Sequence, residues 1–454
     1  MEMTKKPRVS LSDHFTLKKI FFQVITPILM MMFTSVYGIV DGFFVSNFDG
    51  EDALAAVNLI YPLVMVVGGL GFMFGSGGSA LTGKLLGEKN KEEANKVFTM
   101  VFMFAFILGV VVSIVGFFLV KPVSRAMATV TEDVTEVAIT KAISYGRILM
   151  LGQSLFMIQS MMQNFFVVGE KQNLGFIFTL AAGLTNMFFD FLFVGVFKWQ
   201  VEGAAIATIL GYIVGAVGPV LYFLFKKNGL ITFVKTGIRF KPIFKSITNG
   251  FSDFVFTISS SVTSIVYNIK LLQYFGQNGV SAYGITMYVS FFFVAVFIGY
   301  VIGMGPVISY NYGAQNHSEL KNVIKKSFII LIVVSILMLI ASILLAKPLS
   351  LVFLSSSSDA LELSTLFLMI YSISFPLTAI CIFLTAMFTS LNNGLISGLI
   401  ALFRTLIFSI ACALLLPLIF NSGYALCWAN LVAEVFSIIL SLVFYFSNKK
   451  KYHY

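Results

Sequence analysis

Long apolar stretches recur along the whole 454-residue chain and constrain its fold more than any other feature. An apolar stretch of about 20 residues can cross a bilayer as a helix. Only 11 % of the residues are charged, against roughly 25 % in soluble domains, which leaves too few charges for a water-covered surface. The sequence therefore predicts an all-α polytopic membrane protein. Its twelve predicted transmembrane spans lie within residues 17–47, 53–82, 97–120, 138–168, 173–197, 202–225, 246–275, 280–312, 325–346, 361–391, 395–420 and 423–446.

The distribution of Lys and Arg predicts how these spans are oriented. Of the 30 basic residues, 22 lie in the terminal segments and in the links that share their side of the membrane. The links on the other side carry acids such as Asp49, Asp52 and Glu362. Because cytoplasmic loops are enriched in Lys and Arg, we expect both termini and the central link in the cytoplasm. Topology and attraction to anionic lipid then account for the net charge of +10, and no nucleic-acid partner is needed.

The two halves of the chain align with each other at a constant shift of 226 residues. Gly87 falls on Gly313, and the Lys-Pro pair at 121–122 falls on that at 347–348, within a match of about 70 residues. Six spans per half make the copies parallel, related by an axis along the membrane normal. Two facing bundles imply a central cleft, which favours a secondary transporter over a receptor or a channel. The predicted domains are an N-terminal lobe (1–225), a cytoplasmic linker (226–245) and a C-terminal lobe (246–454).

Six ionisable side chains stand well inside predicted spans, where each costs about 2.5–3.5 kcal/mol on insertion scales. Asp41 in span 1 and Asp190 in span 5 lie at a similar depth, about 10 Å below the outer boundary. Asn186 shares a helix face with Asp190, and Thr208 in span 6 reaches the same level. Two carboxylates, an amide oxygen and a hydroxyl suit Na⁺ or a transferable proton. The alternative is that each Asp only satisfies polar neighbours between helices.

The other four ionisable residues lie in the second half of the chain. Lys270 in span 7 could face the cleft, or its ammonium could extend to the interface about five residues away. Asp253, Arg404 and Glu434 are expected to form a buried polar network, with a second coupling or substrate site as the alternative. The acidic set of the first half has no duplicate in the second.

Several segments of the chain resemble one known family by their order and spacing. They are YGIVD at 37–41, GSGGSALTGKLLGEKN at 75–90, NMFFD at 186–190, GAAIAT at 203–208, NGFSDFVFTISSSV at 249–262 and PVISYNYGAQN at 306–316. Together they resemble the multidrug and toxic compound extrusion (MATE) transporters, over nearly the whole chain. The resemblance is to the prokaryotic branch that uses a cation site in the N-terminal lobe.

This resemblance implies a V-shaped pair of six-helix lobes that exports organic cations in exchange for Na⁺ or H⁺. The cation site of the family falls on Asp41, Asn186, Asp190 and Thr208. Where the family often has an Arg in span 4, this chain has Phe166 instead. The remaining candidate residues are Tyr37, Gln163 and Lys270 for the cavity, and Pro27 as a bend in the first span.

We therefore expect a multidrug efflux antiporter that works by alternating access and is not an enzyme. Its partners would be amphipathic organic compounds and the bilayer, and it would need no cofactor besides the coupling ion. We expect a monomer in a bacterial plasma membrane. Two rival functions remain: a flippase for lipid-linked precursors, which shares this architecture, and a membrane receptor that does not transport.

Overall fold

The computed structural model of the protein describes residues 9–130, 134–226, 229–354 and 359–454. These residues form α-helices, two π-helical turns and no β-strand. Some residues of the charge census lie outside the described ranges, namely Lys5, Lys6, Arg8, Glu132, Asp133 and Lys227. The helices are α1 (Leu17–Asp49), α2 (Glu51–Gly87), α3 (Lys91–Val130), α4 (Glu136–Val168), α5 (Gln172–Asp190), α6 (Gln200–Phe225), α7 (Phe240–Gly313), α8 (His317–Leu351), α9 (Asp359–Ile373), α10 (Phe375–Ser390), α11 (Gly394–Leu402), α12 (Ser409–Ile419) and α13 (Ala425–Tyr452).

These helices form the twelve predicted spans, which confirms the fold class. The 74-residue α7 contains the seventh and eighth spans, and they meet at Gly276, where φ is 61° and ψ is −154°. Glycine adopts this conformation without steric strain, so the chain can turn back here. Helices α9 and α10 form one span bent by 50°. The π-helical turn Phe191–Val196 extends α5, and a second one at Phe403–Phe408 joins α11 to α12.

Five helices, α2, α3, α7, α8 and α13, run several residues past a predicted span end, and the others agree within about two residues. The longest single-span helix is α3, with 40 residues. At 1.5 Å per residue it is about 60 Å long, roughly twice the thickness of the hydrocarbon core. Hydropathy marks where the chain leaves hydrocarbon, whereas helical hydrogen bonding continues into the aqueous phase, so a helix can be longer than the membrane span it contains.

The two halves of the chain contact each other at the end of the bundle that holds both termini. Helix α2 meets α7 where Gly77 lies against Gly250 and the carbonyl oxygen of Ser246, and neither glycine has room for a Cβ atom. Helix α1 meets the second part of α7 at Gly299, which lies against the carbonyl oxygen of Pro27. Small residues permit close backbone approach between membrane helices, where packing replaces the hydrophobic effect. Glycines therefore close the bundle at this end.

At the opposite end the same helices have open space beside them. A Cβ atom added at Gly38 or Gly42 of α1, or at Gly276 or Gly284 of α7, would meet no neighbouring atom within 4 Å. The halves thus join at the termini and leave space at the other end, in keeping with the V-shaped pair of bundles expected from the sequence. Pro27 lies inside α1, which is continuous in its helical assignment, and the bend there stays a prediction.

A segment before α1 touches both halves at the closed end. Glu170, in the link between α4 and α5, accepts hydrogen bonds from the hydroxyl of Ser10 and the backbone N–H of Leu11, both at 2.7 Å. Four residues later, the N–H of Phe15 donates to Glu319 of α8 at 2.8 Å. The segment therefore bridges the two halves through one carboxylate in each.

The segment before α7 makes the reciprocal contact with the first half. The Arg239 guanidinium donates to Glu93 of α3 at 2.6 Å, and the N–H of Thr232 donates to the Asn95 side chain at 2.9 Å. Glu93 aligns with Glu319 at the 226-residue shift. Each half thus binds, on its third span, the segment that leads into the first helix of the other half.

The closed end gives a direct test of the glycine contact. A methyl group at Gly250 would overlap the carbonyl oxygen of Met73, so Gly250→Ala should destabilise the contact by about 1–3 kcal/mol. We expect a longer distance between spin labels at the exposed positions Lys91 and Lys321, measured by electron paramagnetic resonance. Gly284→Ala, where a methyl group has open space, is the matched control. Identical distance distributions in the two variants would contradict the role of Gly250.

Candidate functional site

Three of the four residues predicted as a cation site come together between α1 and α5. The Nδ2 of Asn186 donates to Oδ2 of Asp190 at 3.0 Å, one helical turn away. The carboxyl of Asp41 lies within hydrogen-bonding reach of both of these side chains. Asp190 is fully buried and Asn186 nearly so. We call Asp41, Asn186 and Asp190 the acid cluster.

Local helix geometry places the second carboxylate. Asp190 is the last α-helical residue of α5, and the π-helical turn begins at the next residue. Such turns insert an extra residue into the helical repeat and occur frequently at functional sites. Helix α6 approaches closely here because it carries Gly211, where an added Cβ would lie 3.1 Å from Cβ of Asn186 and 3.0 Å from the carbonyl oxygen of Ala182.

Several oxygen atoms of the acid cluster have no protein partner. Oδ1 of Asp41, of Asn186 and of Asp190 are each buried without a hydrogen bond among the described residues. Buried polar atoms are normally paired, and unpaired ones call for a ligand, a water or a proton. No group of three His, Cys, Asp or Glu side chains in the described ranges could hold a metal ion. The acid cluster instead offers two carboxylates and an amide, a hard oxygen set suited to Na⁺ or a proton.

Tyrosines that the sequence analysis does not single out surround the acid cluster. Tyr145 of α4 lies near both carboxylates, and Tyr212 of α6 lies near Asp41 and Tyr37. The buried Gln159 lies beside Tyr37 and Gly215. A polar residue inside an apolar stretch is the signal that identifies Gln159 from sequence, but 17 tyrosines are spread over the chain and identify nothing by themselves.

The fourth predicted member, Thr208, is not hydrogen-bonded to the acid cluster. Its hydroxyl donates to the carbonyl oxygen of Ala204 in its own helix at 2.9 Å. A threonine hydroxyl in a helix can always bond one turn back, and in apolar surroundings this satisfies the donor. The depth of a residue in the membrane does not decide where its hydroxyl points.

The three candidate cavity residues lie in different surroundings. Tyr37 is beside Asp41, as its place one turn earlier in α1 requires. Gln163 is buried, and its side chain reaches the hydroxyl of Thr179 at 3.4 Å, which ties α4 to α5. Lys270 donates to Gln273 one turn further along α7 at 3.0 Å. Only Tyr37 of the three adjoins the acid cluster.

The second half contains a buried ion pair that joins the π-helical turn Phe403–Phe408, which lies between α11 and α12, to α13. Arg404 binds Glu434 through Nε and Nη2, with N–O distances of 2.8–3.1 Å. Thr378 of α10 donates to the same carboxylate at 3.0 Å. Two of the three members of the predicted C-terminal network are thus paired, and the contact joins three helices of that half.

The third member, Asp253, was wrongly placed in that network. Thr263 of α7 donates to the carbonyl oxygen of Thr405, the residue next to Arg404, at 2.8 Å. Asp253 lies ten residues earlier in α7, so it is about 15 Å nearer the termini. Its side chain lies beside Ser76 of α2, across the interface between the halves. Depth estimated from sequence did not separate these levels.

The fold and the site together define a class, since two parallel six-span bundles with buried carboxylates beside a cleft are the architecture of a secondary transporter. Comparison with known sequences agrees. The sequence model of the family MatE matches residues 27–192 and again residues 250–415, once in each half. The chain therefore belongs to the MATE family, and it is a multi-pass membrane transporter and not an enzyme.

Two curated relatives are similar over most of their length. The multidrug export protein MepA of Staphylococcus saprophyticus is 24 % identical over 415 residues, which cover 90 % of this chain and 88 % of that protein. MepA of Staphylococcus aureus is also 24 % identical, over 406 residues, covering 88 % and 86 %.

Solved structures share the fold of this chain. A MATE family transporter of the MOP superfamily in an outward-facing conformation superposes with a TM-score of 0.89 at 21 % identity, covering all of both chains. A MATE protein in a straight conformation gives 0.88 at 20 % identity, covering 99 % of this chain and 100 % of the other. The same superposition on a MATE protein in a bent conformation gives 0.84, also at 20 % identity, covering 96 % and 97 %.

The C-terminal ion pair can be tested as a structural element. Glu434→Gln leaves the buried Arg404 without a countercharge, which should cost about 3–5 kcal/mol of stability. We expect a lower melting temperature of the purified protein. The double variant Arg404→Met/Glu434→Leu should recover most of the loss, because two apolar side chains of similar volume leave no unpaired charge. A double variant as unstable as Glu434→Gln would contradict this explanation, because the lost stability would then not come from an unpaired buried charge.

Proposed function

We propose that this transporter exports amphipathic organic cations in exchange for a cation, Na⁺ or H⁺, that binds the acid cluster. The observation that carries the proposal is the buried pair Asn186–Asp190 close to Asp41, with an unpaired Oδ1 on each of the three side chains. The names of the curated relatives, multidrug export proteins, support drug-like substrates. The same names support the two alternative functions, a flippase and a receptor, less than they support multidrug export.

The chemistry of the acid cluster favours a proton as the coupling ion. Two carboxylates in contact inside a membrane repel each other unless a proton or a cation lies between them. A shared proton would need only these two carboxyls, whereas Na⁺ would draw several oxygens around itself. The Thr208 hydroxyl donates its proton to Ala204, and its oxygen lone pairs stay free to coordinate Na⁺, so Thr208 does not distinguish the two ions.

In this mechanism, proton and substrate favour different states of the transporter. The proton that binds between Asp41 and Asp190 removes a negative charge, and its release toward the other side restores that charge. The deprotonated acid cluster attracts an organic cation into the cleft, and protonation weakens that attraction. Exchange follows because each ligand shifts the equilibrium between the two states in the opposite direction.

The positive-inside rule supports a cytoplasmic location for both termini. In that orientation the glycine contacts close the cytoplasmic end, and the space beside Gly38 and Gly284 lies on the outside. We propose that this is the state that releases substrate and takes up the coupling cation, in a bacterial plasma membrane and as a monomer. The lobes would be residues 1–225 and 246–454, since the non-helical stretch between α6 and α7 lies within the linker 226–245.

Removal of one carboxylate tests the role of the acid cluster. Asp190→Asn keeps the size of the side chain but cannot exchange a proton or carry charge, so gradient-driven efflux should fall to background while the protein still inserts. Efflux of a fluorescent cationic dye from cells measures this. Glu202→Gln, at a carboxylate near the start of α6 that accepts from Ser144, is the matched control and should transport normally. Undiminished efflux in Asp190→Asn would refute the proposal.

Gradients imposed separately identify the coupling ion. In inverted vesicles, an acidic lumen, which directs the proton gradient outward, should drive dye uptake. An outward Na⁺ gradient at constant pH should not. Each positive charge that crosses gains about 2.3 kcal/mol per 100 mV, so the membrane potential must be clamped in both experiments. Uptake driven by Na⁺ alone would replace the proton by Na⁺ in the mechanism, and uptake driven by neither gradient would exclude cation antiport.

A further inference from the structure

An arginine at the lipid-facing side of the first half has no charged partner. Arg147 of α4 forms no hydrogen bond or ion pair among the described residues, and its guanidinium lies 5.3 Å from the ring centroid of Phe117 of α3. Lys121 follows Phe117 by one turn on the same face, and Arg125 follows by two. Neither of these exposed cations is in an ion pair of the described residues.

Below this group of cations lies an apolar crevice of about 310 Å³ between α3 and α4. Helices α3 and α4 touch at its deep end, where the backbone N–H of Ser154 donates to the hydroxyl of Ser113 at 3.1 Å. The side chains that form its walls face outward: Phe118 is 70 % exposed and Leu151 is 66 % exposed. The full lining is Val110, Ser113, Ile114, Phe117, Phe118, Leu151 and Ser154.

The position of Arg147 along α4 places its charge at the edge of the hydrocarbon core. A core about 30 Å thick takes roughly 20 helical residues. Counted from Val168, where α4 ends at the closed end, this reaches Arg147. Counted along α3 from Lys96, it reaches Phe117. Lys141, six residues earlier in α4, binds Asp49 at the outer turn between α1 and α2, so the backbone of Arg147 lies about 9 Å below that turn. A long arginine side chain spans most of this depth and can meet a lipid phosphate at the interface, and the crevice lies among acyl chains of the leaflet opposite the termini.

We propose that this site binds one anionic phospholipid, with its phosphate on the Arg147 guanidinium and an acyl chain in the crevice between α3 and α4. Arg forms bidentate hydrogen bonds with phosphate, and Phe117 holds the planar guanidinium by cation–π contact. Lys121 and Arg125 add positive charge beyond one phosphate, which selects a headgroup with net negative charge. The site does not depend on the proposed transport function.

Native mass spectrometry of the purified, delipidated transporter tests this site with dioleoyl phosphatidylglycerol as the probe. We expect one tightly bound lipid, with phosphatidylcholine weaker and glycerol phosphate without chains not competing. Arg147→Gln should weaken binding about ten-fold, since it removes a charge-assisted hydrogen bond. Leu151→Trp should weaken it as much by filling the crevice with no change of charge.

Matched variants at lipid-facing positions of α8 serve as controls. Lys347→Gln and Leu344→Trp make the same kinds of change in the second half and should leave the bound lipid in place. If Arg147→Gln fails to fold, Leu151→Trp carries the test alone. Unchanged affinity in Leu151→Trp, equal affinity for phosphatidylcholine, or the same loss in the control variants would overturn the proposal.

Discussion

Hydrocarbon cannot hydrogen-bond to a peptide group, and the rest of this structure follows from that constraint. Each residue that crosses the bilayer must satisfy its backbone within its own helix, which explains why the described chain is helical throughout. The exceptions are informative. The two π-helical turns, which loosen this bonding, lie next to Asp190 and around Arg404, beside two of the buried charges of the protein.

The same constraint changes what can hold two membrane lobes together. Lipid is as apolar as leucine, so burying leucines between the lobes would gain little, and close backbone contact must supply the attraction. The glycines at 77, 250 and 299 provide that contact only at the end with the termini. A contact made of backbone surfaces can separate without exposing side chains that require burial. That property suits an interface that must open and close in each transport cycle.

Sequence spacing brings the members of the acid cluster together but does not predict the contacts of Asp253 and Thr208. Asn186 and Asp190 share one helix, so their spacing alone puts them together. The proximity of Asp41 to this pair followed from counting residues along two helices from the same membrane boundary. The placement of Asp253 failed because the depth estimated from sequence did not separate it from the ion pair, which lies about 15 Å further from the termini. A different limit applies to Thr208, because depth does not decide where its hydroxyl points and the hydroxyl has a competing acceptor in its own helix.

Helix α4 shows why the face of a helix matters for function. Tyr145 and Arg147 are two residues apart, so their side chains point to nearly opposite sides of the helix. Tyr145 lies beside the acid cluster, whereas Arg147 lies over Phe117 at the lipid boundary. A lipid held between α3 and α4 would therefore restrain the helix that supplies one wall of the acid cluster. Any movement of α4 that accompanies protonation would change the affinity of the site between α3 and α4 for its lipid. By thermodynamic reciprocity, the bound lipid would change the affinity of the acid cluster for its cation by the same factor.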